Sequence, residues 1–87
     1  MTLDEAFARM EETINRCPQT VQLDIRIVYP GSGDTPVVVV ELGGILESRE
    51  LAGGDGETIQ DALVKCAERA DAWLAAGRPH TEEQGRP

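Results

Sequence analysis

Basic residues are scarce in this sequence of 87 residues, where eight lysines and arginines stand against sixteen aspartates and glutamates. The formal net charge is −8, and there is one phenylalanine, one tyrosine and one tryptophan. Nucleic-acid binding needs cations against phosphates, and single-strand binding adds aromatic platforms beside them. The composition therefore argues against direct binding to nucleic acid or to an anionic membrane. It favours a basic protein partner, unless the acidity serves only to keep the protein in solution.

Histidine and cysteine are also scarce, with one histidine, His80, and two cysteines, Cys17 and Cys66. Their spacing matches no metal-ligand pattern, so we expect neither a metal nor a cofactor. The start of the sequence, residues 1–5, lacks the features of a signal peptide. Two thiols in such a sequence predict that the protein works in the reducing cytoplasm. The alternative is one long-range disulfide between the two cysteines. No apolar run approaches the roughly 20 residues of a membrane span, so no membrane partner is expected.

Residues that could catalyse a reaction lack neighbours to activate them. His80 falls in a polar C-terminal stretch with nothing to orient it, and neither Ser32 nor Ser48 has a histidine or lysine placed to activate it. Cys66 belongs to an apolar helical stripe and is expected to be buried and inert. Cys17 is expected at a helix C-terminus, where the helix dipole raises the pKa of a thiol. The sequence therefore predicts no catalytic residues and no enzymatic activity.

A capping box predicts the start of the first helix, because Thr2 is followed three residues later by Glu5. Apolar residues then recur at helical spacing, and they are Leu3, Ala6, Phe7, Met10 and Ile14. Pro18 disfavours helical geometry at Cys17, so the helix is expected to run over residues 3–16.

Three strands are predicted after this helix. Residues 21–29 alternate between apolar and polar side chains, which is the pattern of a half-buried strand. Its apolar face comprises Val21, Leu23, Ile25, Ile27 and Tyr29. A turn-rich stretch over residues 30–36 leads to a second strand over Val37–Leu42. The glycine pair Gly43–Gly44 indicates a tight turn into a third strand over Ile45–Leu51, although it leaves the register open.

Four consecutive valines in the second strand, Val37, Val38, Val39 and Val40, place apolar side chains on both faces of the sheet. One face is expected to meet the helices. The other face then stays open, which makes these valines a candidate dimer face. The alternative is that a few solvent-facing valines on a small sheet carry no function.

The segment over residues 54–63, Gly-Asp-Gly-Glu-Thr-Ile-Gln-Asp-Ala-Leu, predicts a glycine-rich loop that opens the last helix. Helix N-termini attract anions, but the acidic residues of this segment would repel a phosphate. Thr58 and Asp61 form a second capping-box pattern, and Gly77 is the expected helix stop. The apolar stripe of this helix comprises Ile59, Ala62, Leu63, Cys66, Ala67, Ala70, Trp73 and Leu74.

The predicted order is therefore one helix, three strands and a second helix (α-β-β-β-α). This is an α+β fold in which both helices pack on one face of a three-stranded antiparallel sheet. We expect a single domain over residues 1–77. Residues 78–87 have nothing to bury and are expected to form a disordered tail.

The element order and the start of the last helix resemble the double-stranded-RNA-binding domain, whose last helix opens with Gly-x-Gly-x-Ser-Lys-Lys-x-Ala-Lys. The glycine, glycine, hydroxyl and alanine positions of that pattern are held by Gly54, Gly56, Thr58 and Ala62. The three lysine positions, with which that family grips phosphates, are held by Ile59, Gln60 and Leu63. The resemblance therefore implies the fold of that domain but, without the three lysines, not its binding of RNA.

The same stretch resembles the partner-binding domain of HicB-type antitoxins. The last helix of that family often begins Gly-(Asp/Glu)-Thr-x-x-(Asp/Glu)-Ala-Leu and ends on an aromatic residue and a leucine. Residues 56–63 and the pair Trp73–Leu74 match this pattern. The resemblance implies a small acidic protein that neutralises a basic, RNA-directed toxin.

The leading hypothesis is an acidic, non-enzymatic inhibitor that binds a basic nucleic-acid-handling protein through carboxylates. It would act in the cytoplasm of a bacterium, as an antitoxin-like protein or as a phage anti-defence protein of the anti-CRISPR type. The candidate partner-binding residues are Glu47, Glu50, Asp55, Glu57 and Asp61. The alternative is a structural or assembly module that forms a homodimer through its sheet face.

Overall fold

The computed structural model describes residues 1–44 and 49–76. Two helices and three strands follow one another in the predicted order, so the α+β class is confirmed. They are α1 (Leu3–Asn15), β1 (Val21–Val28), β2 (Val37–Gly44), β3 (Arg49–Gly56) and α2 (Ile59–Ala75). Glu47, Ser48, the predicted helix stop Gly77 and the predicted tail over residues 78–87 with His80 lie outside the described residues.

The three strands form one antiparallel sheet in the order β1-β2-β3, with β2 in the middle. Val38, Val40 and Leu42 of β2 are buried on the side that the helices cover, which we call the helix face. Because side chains alternate along a strand, Val37 and Val39 point to the opposite side, the open face. The side chains of β2 are thus buried on the helix face and half-buried on the open face.

The hydrophobic core lies between the helix face and the two helices. Helix α2 packs on β3 and β2, while α1 packs mainly on α2. Much of α2's buried stripe is small, which lets this helix approach the sheet closely. The fully buried apolar residues are Ala6, Met10, Val40, Leu42, Ala62, Leu63, Cys66, Ala67 and Ala70.

Both helices start at a threonine cap, as predicted, but only the cap at Thr2 is a reciprocal capping box. Thr2 Oγ1 accepts from the Glu5 N–H at 3.1 Å, and Glu5 Oε1 accepts in return from the Thr2 N–H at 2.8 Å. That return bond lowers the pKa of Glu5. Thr58 Oγ1 accepts from the Asp61 N–H at 3.1 Å and so caps α2. Each hydroxyl satisfies a backbone donor that the first helical turn would leave unpaired.

A polar cluster joins α1 to α2 at the ends of the two helices. Asp71 of α2 accepts hydrogen bonds from the guanidinium groups of Arg9 and Arg16 and from Thr13 Oγ1. Thr13 is completely buried, and its hydroxyl oxygen also accepts from Arg9 Nη1 at 2.8 Å. The cluster therefore satisfies a polar group inside the helix interface, where an unpaired hydroxyl would be destabilising.

The predicted position of the third strand is wrong by several residues. Gly43 and Gly44 do not form a turn but end β2, where they pair with Gln22 and Val21 of β1. The third strand runs over Arg49–Gly56 rather than over residues 45–51, so the predicted glycine-rich loop is largely strand. This strand shows no apolar alternation, because its helix-face positions are held by Ala52, Gly54 and Gly56.

Close packing of α2 against β3 explains these small residues. A Cβ on Gly54 would lie 2.5 Å from the Cys66 nitrogen and 2.6 Å from the Ala62 carbonyl oxygen. A Cβ on Gly56 would lie 2.8 Å from the Asp61 Cβ. Two helix-face positions of β3 therefore take glycine because the helix backbone passes directly over them.

Strand β1 is less buried than its alternation predicts. Val21 and Leu23 are half-buried, but Ile25 is 38% exposed, Ile27 is 52% exposed and Tyr29, beyond the strand, is 73% exposed. The reason is topological, because β1 is an edge strand and α2 covers the other two strands. The side chains of β1 therefore become more exposed towards its C-terminal end.

Candidate interaction surface

The open face of the sheet combines apolar side chains with carboxylates. Val37 and Val39 lie at its centre on β2, and Asp55 of β3 stands directly opposite Val39. Glu41 continues the same face of β2, and Asp24 of β1 stands directly opposite it. The alternation of each strand brings these groups together from three separate stretches of sequence.

Glu50 joins this face through an irregularity in the sheet. The register between β2 and β3 shifts between Leu42 and Gly43, so that Glu50 pairs with Gly43 of the open face. Its carboxylate reaches over Gly53, with Oε2 placed 2.5 Å from where a Cβ on Gly53 would lie. We define the acidic open face as the carboxylates that lie on the same face of the sheet as the two half-buried valines Val37 and Val39. They are Asp24, Glu41, Glu50 and Asp55.

The predicted partner-binding residues divide between separate places. Glu50 and Asp55 line one hollow at the β3 side of the open face. Asp55 and Glu57 line a second hollow, which Lys65 of α2 also lines. Asp61, in the first turn of α2, packs over Gly56 on the helix side of the sheet and lines a third hollow with Met1. Glu47 lies outside the described residues. The structure thus brings Glu50 and Asp55 together on the open face, with Glu57 beside Asp55, and places Asp61 on the opposite side of the sheet next to Gly56.

Two acidic residues of this surface were not among the predicted ones. Asp24 and Glu41 lie on the open face, and both could have been found from the strand alternation that predicts β1 and β2. Their facing positions require the register between the strands. The sequence does not determine that register, because the turn-rich connection between β1 and β2 allows more than one.

The predicted dimer face of four valines requires a correction. Val38 is 6% exposed and Val40 is completely buried, so both belong to the core rather than to a surface. Val37 and Val39 remain half-buried on the open face. The physical reason is the pleat of the strand, which gives two of four consecutive side chains to each face.

Few cations oppose the carboxylates of the acidic open face. Arg26 Nη2 donates to Glu41 Oε2 at 2.8 Å across the β1–β2 ladder. Arg69 of α2 reaches the hollow of Glu50 and Asp55, where its Nη1 donates to the Gly53 carbonyl oxygen at 2.8 Å. Both guanidinium groups are thus engaged with the sheet itself, and the face keeps an excess of negative charge.

The two cysteines are free thiols in environments that disfavour the thiolate. Burial, reinforced by the negative charge of Glu50, raises the pKa of Cys66 to about 11. Burial also raises the pKa of Cys17, at the end of α1. Within residues 1–44 and 49–76, no three histidine, cysteine, aspartate or glutamate residues stand together as metal ligands would.

The positions that hold lysines in the double-stranded-RNA-binding domain do not form a cationic ridge here. Leu63 is completely buried in the core, and Ile59 packs against that core. Gln60 is half-buried in the first turn of α2. The start of this helix therefore presents apolar and neutral groups where phosphate contacts would need positive charge.

Comparison of the chain with known protein families and with characterised proteins finds no match. Neither helix of the described part of the chain has the length and apolar character that crossing a bilayer requires.

Proposed function

We propose that this protein is a non-enzymatic protein-binding module that inhibits a basic, nucleic-acid-handling protein. The observation that carries the proposal is the acidic open face, where four carboxylates share one face of the sheet with Val37 and Val39 and Asp55 stands directly opposite Val39. Apolar side chains beside charged groups on one exposed surface are typical of a protein–protein interface. The basic partner would supply the charge that this face lacks.

The charge of the whole chain supports the same partner chemistry. A formal charge of −8 speeds association with a positively charged surface and opposes association with polynucleotides. A basic surface that evolved to hold phosphates offers cations to the carboxylates of the open face. Occupation of that surface would exclude the nucleic acid, which is how a protein without catalytic residues can inhibit.

Two biological settings fit this chemistry. One is an antitoxin-like protein that neutralises an RNA-directed toxin, and the other is a phage anti-defence protein that blocks a CRISPR-type effector. The free thiols Cys17 and Cys66 fit a reducing cytoplasm in either setting. Binding assays against purified basic toxins and effectors encoded beside the gene distinguish the two.

The test uses a matched pair of charge-reversal variants. E50R/D55R reverses two carboxylates of the acidic open face. E11R/E12R reverses two exposed carboxylates of α1 and changes the net charge by the same amount. We expect E50R/D55R to weaken the affinity for the basic partner at least about tenfold, which corresponds to about 1.4 kcal/mol. E11R/E12R should leave the affinity within about twofold, because screening is strong beyond about 10 Å.

Three results bear directly on the proposal. Affinity for the partner should fall as salt rises from about 0.05 M to about 0.5 M, since the face acts through charge. Equal losses in E50R/D55R and E11R/E12R would mean that overall charge, not the open face, drives binding. Specific capture of an RNA or DNA oligonucleotide by the purified protein would overturn the proposal.

A further inference from the structure

The two edges of the sheet are built differently, and β1 is the open edge. At the β3 edge, Arg69 donates to the Gly53 carbonyl oxygen and the ladder is interrupted by a register shift. Strand β1 keeps an unbroken register with β2 over all eight of its residues and contains no glycine, proline or lysine. A long, regular edge is a template for another strand when the charged side chains on it, here Asp24 and Arg26, meet opposite charges on that strand.

Apolar side chains are exposed along the C-terminal half of this edge. Ile25 and Ile27 lie on the helix face and are 38% and 52% exposed, and Val28 on the open face is 44% exposed. The two isoleucines lie beside the part of the sheet that α2 covers, since α2 packs on β3, β2 and α1. A strand added beside β1 would bury them, at roughly 25 cal/mol per Å² of apolar area removed from water.

Of the two charged residues on β1, Arg26 has an ion-pair partner among the described residues of its own chain and Asp24 does not. Asp24 stands directly opposite Glu41 in the β1–β2 register, where like charges are destabilising. Arg26 pairs with Glu41. None of the ion pairs among residues 1–44 and 49–76 includes Asp24. The Asp24 carboxylate accepts hydrogen bonds from Gln22 Nε2 of the same strand, at 3.4 and 3.2 Å. Among the described residues its negative charge is therefore not paired with a cation, and it lies at the open edge of the sheet next to Arg26 on the same face.

We propose that β1 pairs antiparallel with β1 of a second copy of this chain, about a two-fold axis at Ile25. In this register Asp24 of each copy faces Arg26 of the other, so both cross-strand pairs are opposite in charge. Leu23 of each copy faces Ile27 of the other on the helix face. The strand is thus complementary to itself in charge and in apolar character.

Neighbouring registers lack this complementarity. An axis at Asp24 would set two copies of Asp24 against each other, and an axis at Arg26 would do the same with two arginines. An axis at Leu23 or Ile27 would leave Asp24 and Arg26 facing neutral side chains. The charge pattern therefore selects the axis at Ile25, since cross-strand pairs of opposite charge stabilise and like pairs destabilise.

This dimer has one continuous six-stranded sheet, with all four helices on one side. The two open faces then lie on the other side and form one broad surface that carries the acidic residues of both copies. The seam shares Asp24 with the acidic open face, but the partner-binding test changes only Glu50 and Asp55 of β3, whereas the dimer test changes Asp24 and Arg26 of β1. A failure of dimerisation and a failure of partner binding are therefore separate results.

Charge exchange on β1 tests the proposal. Wild-type protein should sediment at twice the 9.4 kDa of one chain at about 100 µM. D24R and R26D should each weaken the dimer at least about tenfold, because each sets like charges against each other twice. An equimolar mixture of D24R and R26D should form a heterodimer, since one strand is then wholly positive and the other wholly negative at these positions.

The double variant D24R/R26D restores opposite pairs between copies and places its new arginine directly across from Glu41. It should therefore dimerise within about threefold of wild type. V37D, on the open face, is the control for a dimer through the sheet face and should leave the mass unchanged. A wild-type monomer at about 500 µM, or loss of the dimer in V37D with no loss in D24R and R26D, would overturn the β1 seam.

Far-UV circular dichroism and urea unfolding of each variant separate a lost interface from a lost fold. A variant that is folded as a monomer and combines only with its oppositely charged counterpart supports the register. A mixture of folded D24R and folded R26D that stays monomeric contradicts it.

Discussion

The backbone nitrogen of Cys66 lies only 2.5 Å from the position that a Cβ on Gly54 would occupy. At this point α2 crosses β3 with no room for a side chain, and the Ala62 carbonyl oxygen closes the site from the same helix. The contact is between two backbones, so neither partner can rotate away. The short distance between α2 and β3 therefore requires glycine, with no Cβ, at position 54.

Replacement of Gly54 by alanine should destabilise the protein by about 2–4 kcal/mol, because the helix must lift off the strand or the strand must bend. G53A is the matched control. A Cβ there meets the end of the flexible Glu50 side chain rather than backbone, so the loss should stay below about 1 kcal/mol. Urea unfolding of the two variants measures the difference, and equal losses would contradict the close crossing of α2 over β3.

Removal of the Asp71 carboxylate should loosen α1 from α2. D71A takes away the acceptor of Arg9, Arg16 and the buried Thr13, so we expect a loss of about 1–3 kcal/mol in the free energy of unfolding. D71N keeps the shape of the side chain and should lose less. A loss below about 0.5 kcal/mol in D71A would show that the cluster contributes little.

The same carboxylate gives stability a defined dependence on pH. Desolvation raises the pKa of Asp71, but the hydrogen bonds from Thr13, Arg9 and Arg16 outweigh it and hold the pKa below the usual 3.8. A lowered pKa stabilises the fold above the unfolded-state value, and this contribution disappears as pH falls through the folded-state value. Wild-type protein should therefore lose this increment between about pH 5 and about pH 2. D71N should show a shallower acid transition in a thermal-unfolding series.

The two thiols should differ sharply in reactivity. Cys66 is completely buried with its pKa raised to about 11, whereas Cys17 is half-buried. At pH 8, a thiol reagent should modify Cys17 in the folded protein and Cys66 only through unfolding. C17S should therefore react at a rate that rises with urea concentration. Rapid modification of C17S in the absence of urea would contradict the burial of Cys66.

The valines of β2 should fall into two classes when each is shortened to alanine. Val40 is completely buried, so V40A should cost about 1–3 kcal/mol through lost contacts and a small cavity. Val39 is half-buried on the open face, so V39A should cost below about 1 kcal/mol. Equal losses in urea unfolding would indicate that the open face is covered in solution, because a covered Val39 would behave as a core residue.

The sequence was sufficient for the order of the elements because each helix and the first two strands carry a local signal. Thr2 and Thr58 cap their helices as predicted, and the alternating stretch forms the strand β1, although its burial alternates only over the first half. Strand β3 could not be placed, since its helix-face positions are filled by glycine and alanine. These small residues are needed because α2 packs closely on β3. That requirement comes from a tertiary contact, which the local sequence pattern of the strand does not show.

The candidate surface was predictable only in part for a similar reason. Glu50 and Asp55 belong to an acidic stretch that is visible in the sequence. Asp24 and Glu41 come to the same face only through the pairing of the strands. The exposure of Ile25 and Ile27 was also not predictable, because apolar alternation looks the same in an edge strand and in a central one. Which strand the helices leave uncovered is decided by topology.

The segment from Ala52 to Gly56 looks like the most replaceable part of the sequence, yet it is where α2 comes closest to the sheet. A saturation mutagenesis experiment should find Gly54 among the least tolerant positions, with depletion of every larger residue. Tolerance should be high at Glu11 and Glu12 on the exposed side of α1. Evolutionary drift in such a protein would therefore preserve the glycine at position 54 and exchange exposed charged residues such as Glu11 and Glu12 freely.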